Sequence, residues 1–204
     1  MRQKKAIAII DAKFGNLASV RNAFAKIGEK TIVVSKPAEI EKAGRLVLPG
    51  VGAFGSAMQM LEAKKLDSAI KEFISSGKPF LGICIGMQLL FEESEESSGK
   101  KGLCLFRGQV KKFTGVKTPQ IGWNRIYPTK QTRLLSGIVN GEFVFFANSY
   151  YTKPLEEEIV AAKAGYGQSF CAAIESGNVF ATQFHPEKSG KFGLKILKNF
   201  AEAE

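Results

Sequence analysis

The sequence predicts an α/β fold: an open, mostly parallel sheet with helices on both faces, extended at one side by antiparallel strands. Three observations predict it. Up to Phe91, short β-branched runs alternate with stretches whose apolar residues recur at helical spacing. Glycines and Pro-Gly pairs punctuate the junctions. Beyond Phe91 the texture changes to closely spaced short runs separated by turn residues, as in antiparallel strands.

Taken in order, Lys5–Ile10 reads as the first strand, Asp11 ends it, and a Gly15-Asn16 turn follows. Leu17, Val20, Ala23, Phe24 and Ile27 then form a helical stripe that Gly28 stops. Thr31–Val34 is a second strand and Arg45–Leu48 a third, with a short helical piece near Glu39–Ala43 between them. The loop Pro49-Gly-Val-Gly-Ala-Phe54 leads to helices over Ser56–Glu62 and Leu66–Ser76. Pro79–Ile83 is a buried strand, and from Gly86 the residues Met87, Leu90 and Phe91 predict a helix. The acidic run Glu92–Glu96 reads as a solvated helix end. β-like runs follow at Leu103–Phe106, Gln109–Phe113, Ile121–Tyr127, Phe143–Ala147, Ile159–Ala164, Phe170–Glu175 and Val179–Phe184. Ser176-Gly-Asn178 marks a hairpin between the last two. A final helix spans Gly190–Phe200, with Phe192, Ile196, Leu197 and Phe200 on its apolar face. No repeat or internal boundary is visible, so residues 1–204 read as a single domain.

Composition narrows the function. With 45% hydrophobic residues the chain can build a full core, and it has no run of about 18 apolar residues that would span a membrane. The basic start Met1-Arg-Gln-Lys-Lys precedes an apolar run too short for a signal peptide, so a cytoplasmic location is expected. Three widely spaced cysteines and no C-x-x-C fit a reducing compartment and predict neither a metal nor a cofactor. The net charge of +10 reads first as a solvated basic face, with docking on an acidic partner as another reading. Nucleic acid is not expected: the basic residues are spread along the chain, and no helix-turn-helix, zinc or RNA-binding signature accompanies them.

The chemistry centres on Gly82-Ile-Cys-Ile-Gly86, where a strand becomes a helix. A lone Cys in an apolar run is more often a small core residue. The flanking glycines and the change of periodicity reverse that reading, as in the G-x-S-x-G elbow with Cys for Ser. Such a turn holds the sulfur of Cys84 out at the sheet end, beside a helix N-terminus that favours thiolate. The N–H of Ile85 points to the same space and can stabilise an oxyanion. At the neighbouring strand end, Gly50-Val51-Gly52 can aim a second backbone N–H there. A cysteine nucleophile needs a base, and the only histidine is His185, in Gln183-Phe-His-Pro-Glu-Lys-Ser189. Glu187, two residues on, can orient the ring, so Cys84, His185 and Glu187 supply nucleophile, base and orienter.

These residues are recognisable together. Gly82-Ile-Cys-Ile-Gly-Met-Gln88 with Phe184-His-Pro-Glu187 resembles the class I (triad) glutamine amidotransferases. Pro49-Gly-Val-Gly-Ala-Phe54, Gln120-Ile-Gly-Trp-Asn124, Asn148-Ser-Tyr150 and His185-Pro-Glu-Lys-Ser189 resemble, within them, the glutaminase subunits of imidazole glycerol phosphate synthase. The resemblance implies a flavodoxin-like amidotransferase architecture. It also implies hydrolysis of L-glutamine through a glutamyl thioester, with ammonia passed to a cyclase subunit, a (β/α)8 barrel, in a heterodimer of histidine biosynthesis. By the same resemblance Gln88 and Glu96 hold the amino-acid end of glutamine, and Ser149 and Tyr150 line that pocket. Asn16, Trp123 and Lys188 are implied near the cyclase interface.

Two positions depart from the family pattern: Asn148 stands where a histidine is usual, and Ala12 where an aromatic residue is usual. Both concern coupling to the partner rather than the triad. Besides a non-enzymatic basic binding module, two alternatives stay open. One is a class I glutaminase serving another synthase, such as those making anthranilate, GMP or pyridoxal phosphate. The Gly-Val-Gly-Ala-Phe and Gly-Trp-Asn segments argue against it. The other is a cysteine peptidase on a related fold. Those carry histidine directly after the nucleophile, where this chain has Ile85.

Overall fold

The structure, a computed structural model, describes residues 6–11 and 16–203. The parallel half is built from β1 (Ile7–Ile10), α1 (Leu17–Lys26), β2 (Thr31–Val34), α2 (Pro37–Lys42), β3 (Arg45–Leu48), α3 (Phe54–Ala63), α4 (Leu66–Ser75), β4 (Phe80–Ile83) and a single helical turn, α5 (Ile85–Gln88). Then come β5 (Glu93–Ser94), β6 (Gly108–Lys112), β7 (Gln120–Pro128), β8 (Glu142–Asn148), β9 (Tyr150–Pro154), β10 (Val160–Tyr166), β11 (Gln168–Ser176), β12 (Val179–Thr182) and α6 (Gly190–Glu202).

Among the described residues a nine-stranded sheet runs β2-β1-β3-β4-β12-β11-β10-β7-β8, and a small second sheet runs β5-β6-β9. β2, β1, β3, β4 and β12 are parallel neighbours. β11, β10, β7 and β8 continue the sheet antiparallel. β12 thus joins the two halves, and β4 and β12 lie side by side in register from Phe80 with Val179 to Ile83 with Thr182. That pairing brings the strand before Cys84 alongside the strand before His185.

Strand side chains alternate between faces, and the core follows the alternation. Ala8 and Ile10 pack with Ile40, Met58, Leu61, Ile70 and Phe73 from α2, α3 and α4. Ile7 and Ile9 pack on the other face with Val20 and Phe24 of α1 and Ile196, Leu197 and Phe200 of α6. Parallel strands covered on both faces are buried throughout, as β1 and β4 are. In the antiparallel half β10 and β11 are still buried on both faces over Val160–Ala162 and Phe170–Ile174, whereas the outer pair β7 and β8 leaves Ile121, Trp123, Tyr127 and Phe143 exposed.

Three expectations are corrected. The helix after Cys84 does not continue to Phe91; α5 is four residues long. Leu103–Phe106 is not a strand. One fact explains both. The Leu89 carbonyl accepts from Leu103 N at 2.7 Å, and the Leu90 carbonyl accepts from Leu105 N at 2.9 Å and Phe106 N at 3.1 Å. The returning chain therefore takes the bonds that would have extended either element. The acidic run is not a free helix end either. Glu92 accepts from Gly108 N at 2.8 Å, and Glu95 from Lys112 N at 2.8 Å, which ties the run to β6. The sequence also left β9 unread, because its single buried position, Thr152, falls between tyrosines and a lysine. Lys5, Ala12 and Gly15 lie outside the described residues.

Candidate active site

Cys84 ends β4 at φ 53° and ψ −107°, a region that L-residues rarely occupy. The chain accepts it because packing leaves no other path. A Cβ on Gly86 would lie 2.0 Å from the Leu48 carbonyl oxygen, and one on Gly82 would lie 2.6 Å from the Gly86 oxygen. Only glycine lets β3, β4 and α5 approach so closely. Cys84 N donates to the Thr182 carbonyl at 2.7 Å, which locks the elbow to β12. α5 sums few peptide dipoles, so the macrodipole contributes less at the sulfur than a full helix would.

His185 follows β12 and heads a short 3-10 turn, Pro186–Lys188. Its backbone is relaxed at φ −97° and is held by hydrogen bonds. His185 N donates to the Phe145 carbonyl at 2.9 Å. Ser189 Oγ donates to the His185 carbonyl at 2.6 Å and accepts from Phe145 N at 2.9 Å. Nδ1 of His185 lies 2.9 Å from Glu187 Oε1, with both side chains only 3% exposed. An ionised carboxylate only accepts, so Nδ1 carries a proton and Nε2 is turned to the thiol. Nε2 is buried and has no hydrogen-bond partner in good geometry. Burial alone depresses the basicity of the imidazole. Interaction with Cys84 and then Glu187 more than offsets it, and the ring is pushed up from 6.5 to about 10.

In front of the sulfur lies a cleft of about 180 Å³. Every residue expected for the oxyanion and the substrate lines it: Val51, Gly52 and Ile85, and Gln88, Glu96, Ser149 and Tyr150. Ile85 opens α5, so its N–H has no acceptor within that helix. Glu96 also accepts from Phe54 N at 2.6 Å, which docks the glycine loop and the start of α3 against the pocket. Asn148 lines the cleft as well.

Trp123 is 56% exposed and meets Phe145 edge to face at 6.2 Å, while Lys188 Nζ sits 5.6 Å over the same ring. Phe145 therefore joins this outer patch to the backbone of His185. Asn16 is exposed at the start of α1, where its side chain accepts from Ser19 N at 3.1 Å; it is not part of that cluster. Among the described residues no group of three or more His, Cys, Asp or Glu could hold a metal ion, and no helix is long and apolar enough to cross a membrane.

Sequence reasoning missed Gln183, Ser189, Phe145, Pro119 and Ala147. Gln183 is fully buried and donates to Cys84 Sγ at 3.6 Å. Pro119 and Ala147 complete the cleft wall. A polar residue inside the last buried strand run was the one signal available, and it marked Gln183.

Comparison with known proteins follows this geometry. The family model for glutamine amidotransferase class-I matches residues 8–203. The imidazole glycerol phosphate synthase subunit HisH of Methanothermobacter thermautotrophicus is 50% identical over 96% of this chain and 98% of its own length. The protein of the same name from Pyrococcus furiosus is 48% identical over 95% and 97%, and that from Bacillus cereus 47% identical over 95% and 93%. Among solved structures, a glutamine amidotransferase superposes with a TM-score of 0.76 at 18% identity, covering 96% of this chain and 98% of that one. PurLQS from Thermotoga maritima superposes with a TM-score of 0.75 at 19% identity, covering 97% and 98%. These last likenesses speak for the fold. With an elbow cysteine beside a carboxylate-held histidine and near full-length identity of this order, the chain is a class I glutamine amidotransferase and belongs to the family of HisH subunits of imidazole glycerol phosphate synthase.

Proposed function

We propose that the chain acts as one glutaminase domain in the cytoplasm, paired as a heterodimer with a (β/α)8 cyclase subunit to which it passes ammonia. The observation that carries this reading is the pair at the end of the sheet: the elbow thiol of Cys84 against His185, whose other nitrogen is bonded to Glu187 at 2.9 Å.

In this reading glutamine enters the cleft with its amino-acid end toward Gln88, Glu96, Ser149 and Tyr150. Cys84 Sγ, its proton already resting on His185 Nε2, attacks the carboxamide carbon as a thiolate. The oxyanion is held by the N–H of Ile85 and an N–H of the Val51–Gly52 loop. His185 returns the proton to the departing nitrogen, so ammonia leaves and a glutamyl thioester remains. His185 then takes a proton from water, hydroxide adds to the thioester, and glutamate and the free thiol are released. Glu187 holds the ring through both half-reactions.

Trp123, Phe145 and Lys188 form an apolar and cationic patch next to the base, suited to a partner with an apolar socket and acidic rim. Asn16 is assigned to the same partner. The +10 charge fits an acidic cyclase, and association should weaken as salt rises. The deciding experiment is co-purification with a cyclase subunit, with glutamate release measured with and without the cyclase's substrate. Strong stimulation by that substrate is the expected result. Full activity of the chain alone would count against the pairing.

A further inference from the structure

The amides of Gln88 and Gln183 form a buried chain that ends on the sulfur. Gln88 Nε2 donates to the Tyr150 carbonyl at 3.1 Å and to Gln183 Oε1 at 3.0 Å. Gln183 Nε2 donates to Cys84 Sγ at 3.6 Å. Gln88 is 4% exposed and Gln183 not at all.

The direction of this chain is set at its far end. A carboxamide can be turned either way, but a backbone carbonyl has no proton to give. The end of Gln88 that faces Tyr150 must therefore be its NH2 group. Asn148 Nδ2 donates to the same carbonyl at 2.8 Å, so both of its lone pairs are used. The second N–H of Gln88 requires an acceptor and finds the oxygen of Gln183. That turns the nitrogen of Gln183 to the sulfur. The two ends of the amide are not equivalent there: an N–H favours negative charge on sulfur, and a carbonyl opposes it.

We propose that Gln183 is a positioning residue of the amidotransferase reaction, whose N–H holds the Cys84 sulfur ready for attack while Gln88 and the Tyr150 carbonyl fix which end of the amide faces it. This deepens the reading of Cys84 as nucleophile and rests on it. Gln88 then has two tasks: it lines the substrate cleft, and it sets the polarity of the donor behind the nucleophile.

The test reads the sulfur directly. Cys104 is exposed and Cys171 buried, so the full-length chain is used with Cys104→Ser as the parent. The rate of Cys84 alkylation by iodoacetamide at pH 7 is followed by peptide mapping, and kcat and KM for glutamine are measured with the cyclase. Gln183→Leu should slow alkylation and lower kcat by at least about tenfold each, with KM moving less than about threefold. Gln88→Met, which frees the Gln183 amide to turn, should slow alkylation several-fold. Alkylation of Gln183→Leu at the parent rate overturns the proposal, including the case in which only KM rises. If Gln183→Leu does not fold, Gln88→Met decides, and a parent-like alkylation rate there overturns it. Cys84→Ala separates the two readings. If it still hydrolyses glutamine, the nucleophile assignment falls. If it is inactive while Gln183→Leu reacts normally, only the role of Gln183 falls.

Discussion

The elbow around Cys84 and the turn around His185 sit side by side at the end of one sheet, yet different forces dominate in holding them. The elbow is held by packing. Its backbone sits at φ 53°, and two glycines lie within reach of carbonyl oxygens that exclude any side chain. The histidine turn is held by polar bonds: one to Glu187, two through Ser189, and one to the Phe145 backbone. Packing resists added atoms and hydrogen bonds resist lost ones. The sulfur of Cys84 is therefore fixed in space, whereas the ring of His185 is fixed in orientation.

Substitution tests this contrast, and the largest effect is the one both regions share. Cys84→Ala and His185→Ala should each reduce glutamate release by about 10⁴–10⁶-fold, and the double variant should be little worse, because the two act as a unit. Additive losses would show that they work independently. Glu187→Gln should come next, at about 10²–10⁴-fold, since an amide can turn a donor toward Nδ1 and so favour the wrong tautomer. Glutamine turnover at saturating substrate checks this, and an unchanged kcat would remove Glu187 from the unit.

Stability then separates the regions. Gly86→Ala places a Cβ 2.0 Å from the Leu48 oxygen and should lower unfolding free energy by about 3 kcal/mol. Ser189→Ala removes two hydrogen bonds and should cost about 1–2 kcal/mol while lowering activity by misplacing His185. Urea melts of the two variants rank them, and a larger loss for Ser189→Ala would reverse the comparison.

The smallest effect is on pH dependence. The folded imidazole is raised from 6.5 to about 10, the sum of depression by burial and a larger elevation by Cys84 and Glu187. Its contribution to stability is therefore fully present below about 6.5 and is lost as pH rises through about 10. Wild type should lose stability relative to His185→Gln across that window. Parallel melting curves for the two would show that the ring is not held as an imidazolium.

Much of the fold was legible in the sequence. Ala-Ile-Ala-Ile-Ile, Arg-Leu-Val-Leu and Pro-Phe-Leu-Gly-Ile are short apolar runs bounded by turns, and burial on both faces requires that pattern. The misreadings share a cause. Leu89–Phe91 and Leu103–Phe106 are apolar enough for a helix and a strand, but each takes its hydrogen bonds from the other. No local pattern records a bond made across a loop.

The candidate site divides the same way. By itself the sequence determined the chemical parts: a cysteine between glycines, one histidine, a glutamate two residues on, and a glycine loop at a neighbouring strand end. The tertiary structure alone decided that β4 and β12 are neighbours, that Glu96 reaches Phe54, and that Gln88 and Gln183 meet behind the sulfur. The physical reason is range. Propensity and periodicity act over a few residues. The register of a parallel sheet and the direction of a buried amide are set by groups far apart in the chain that must satisfy one another once water is excluded.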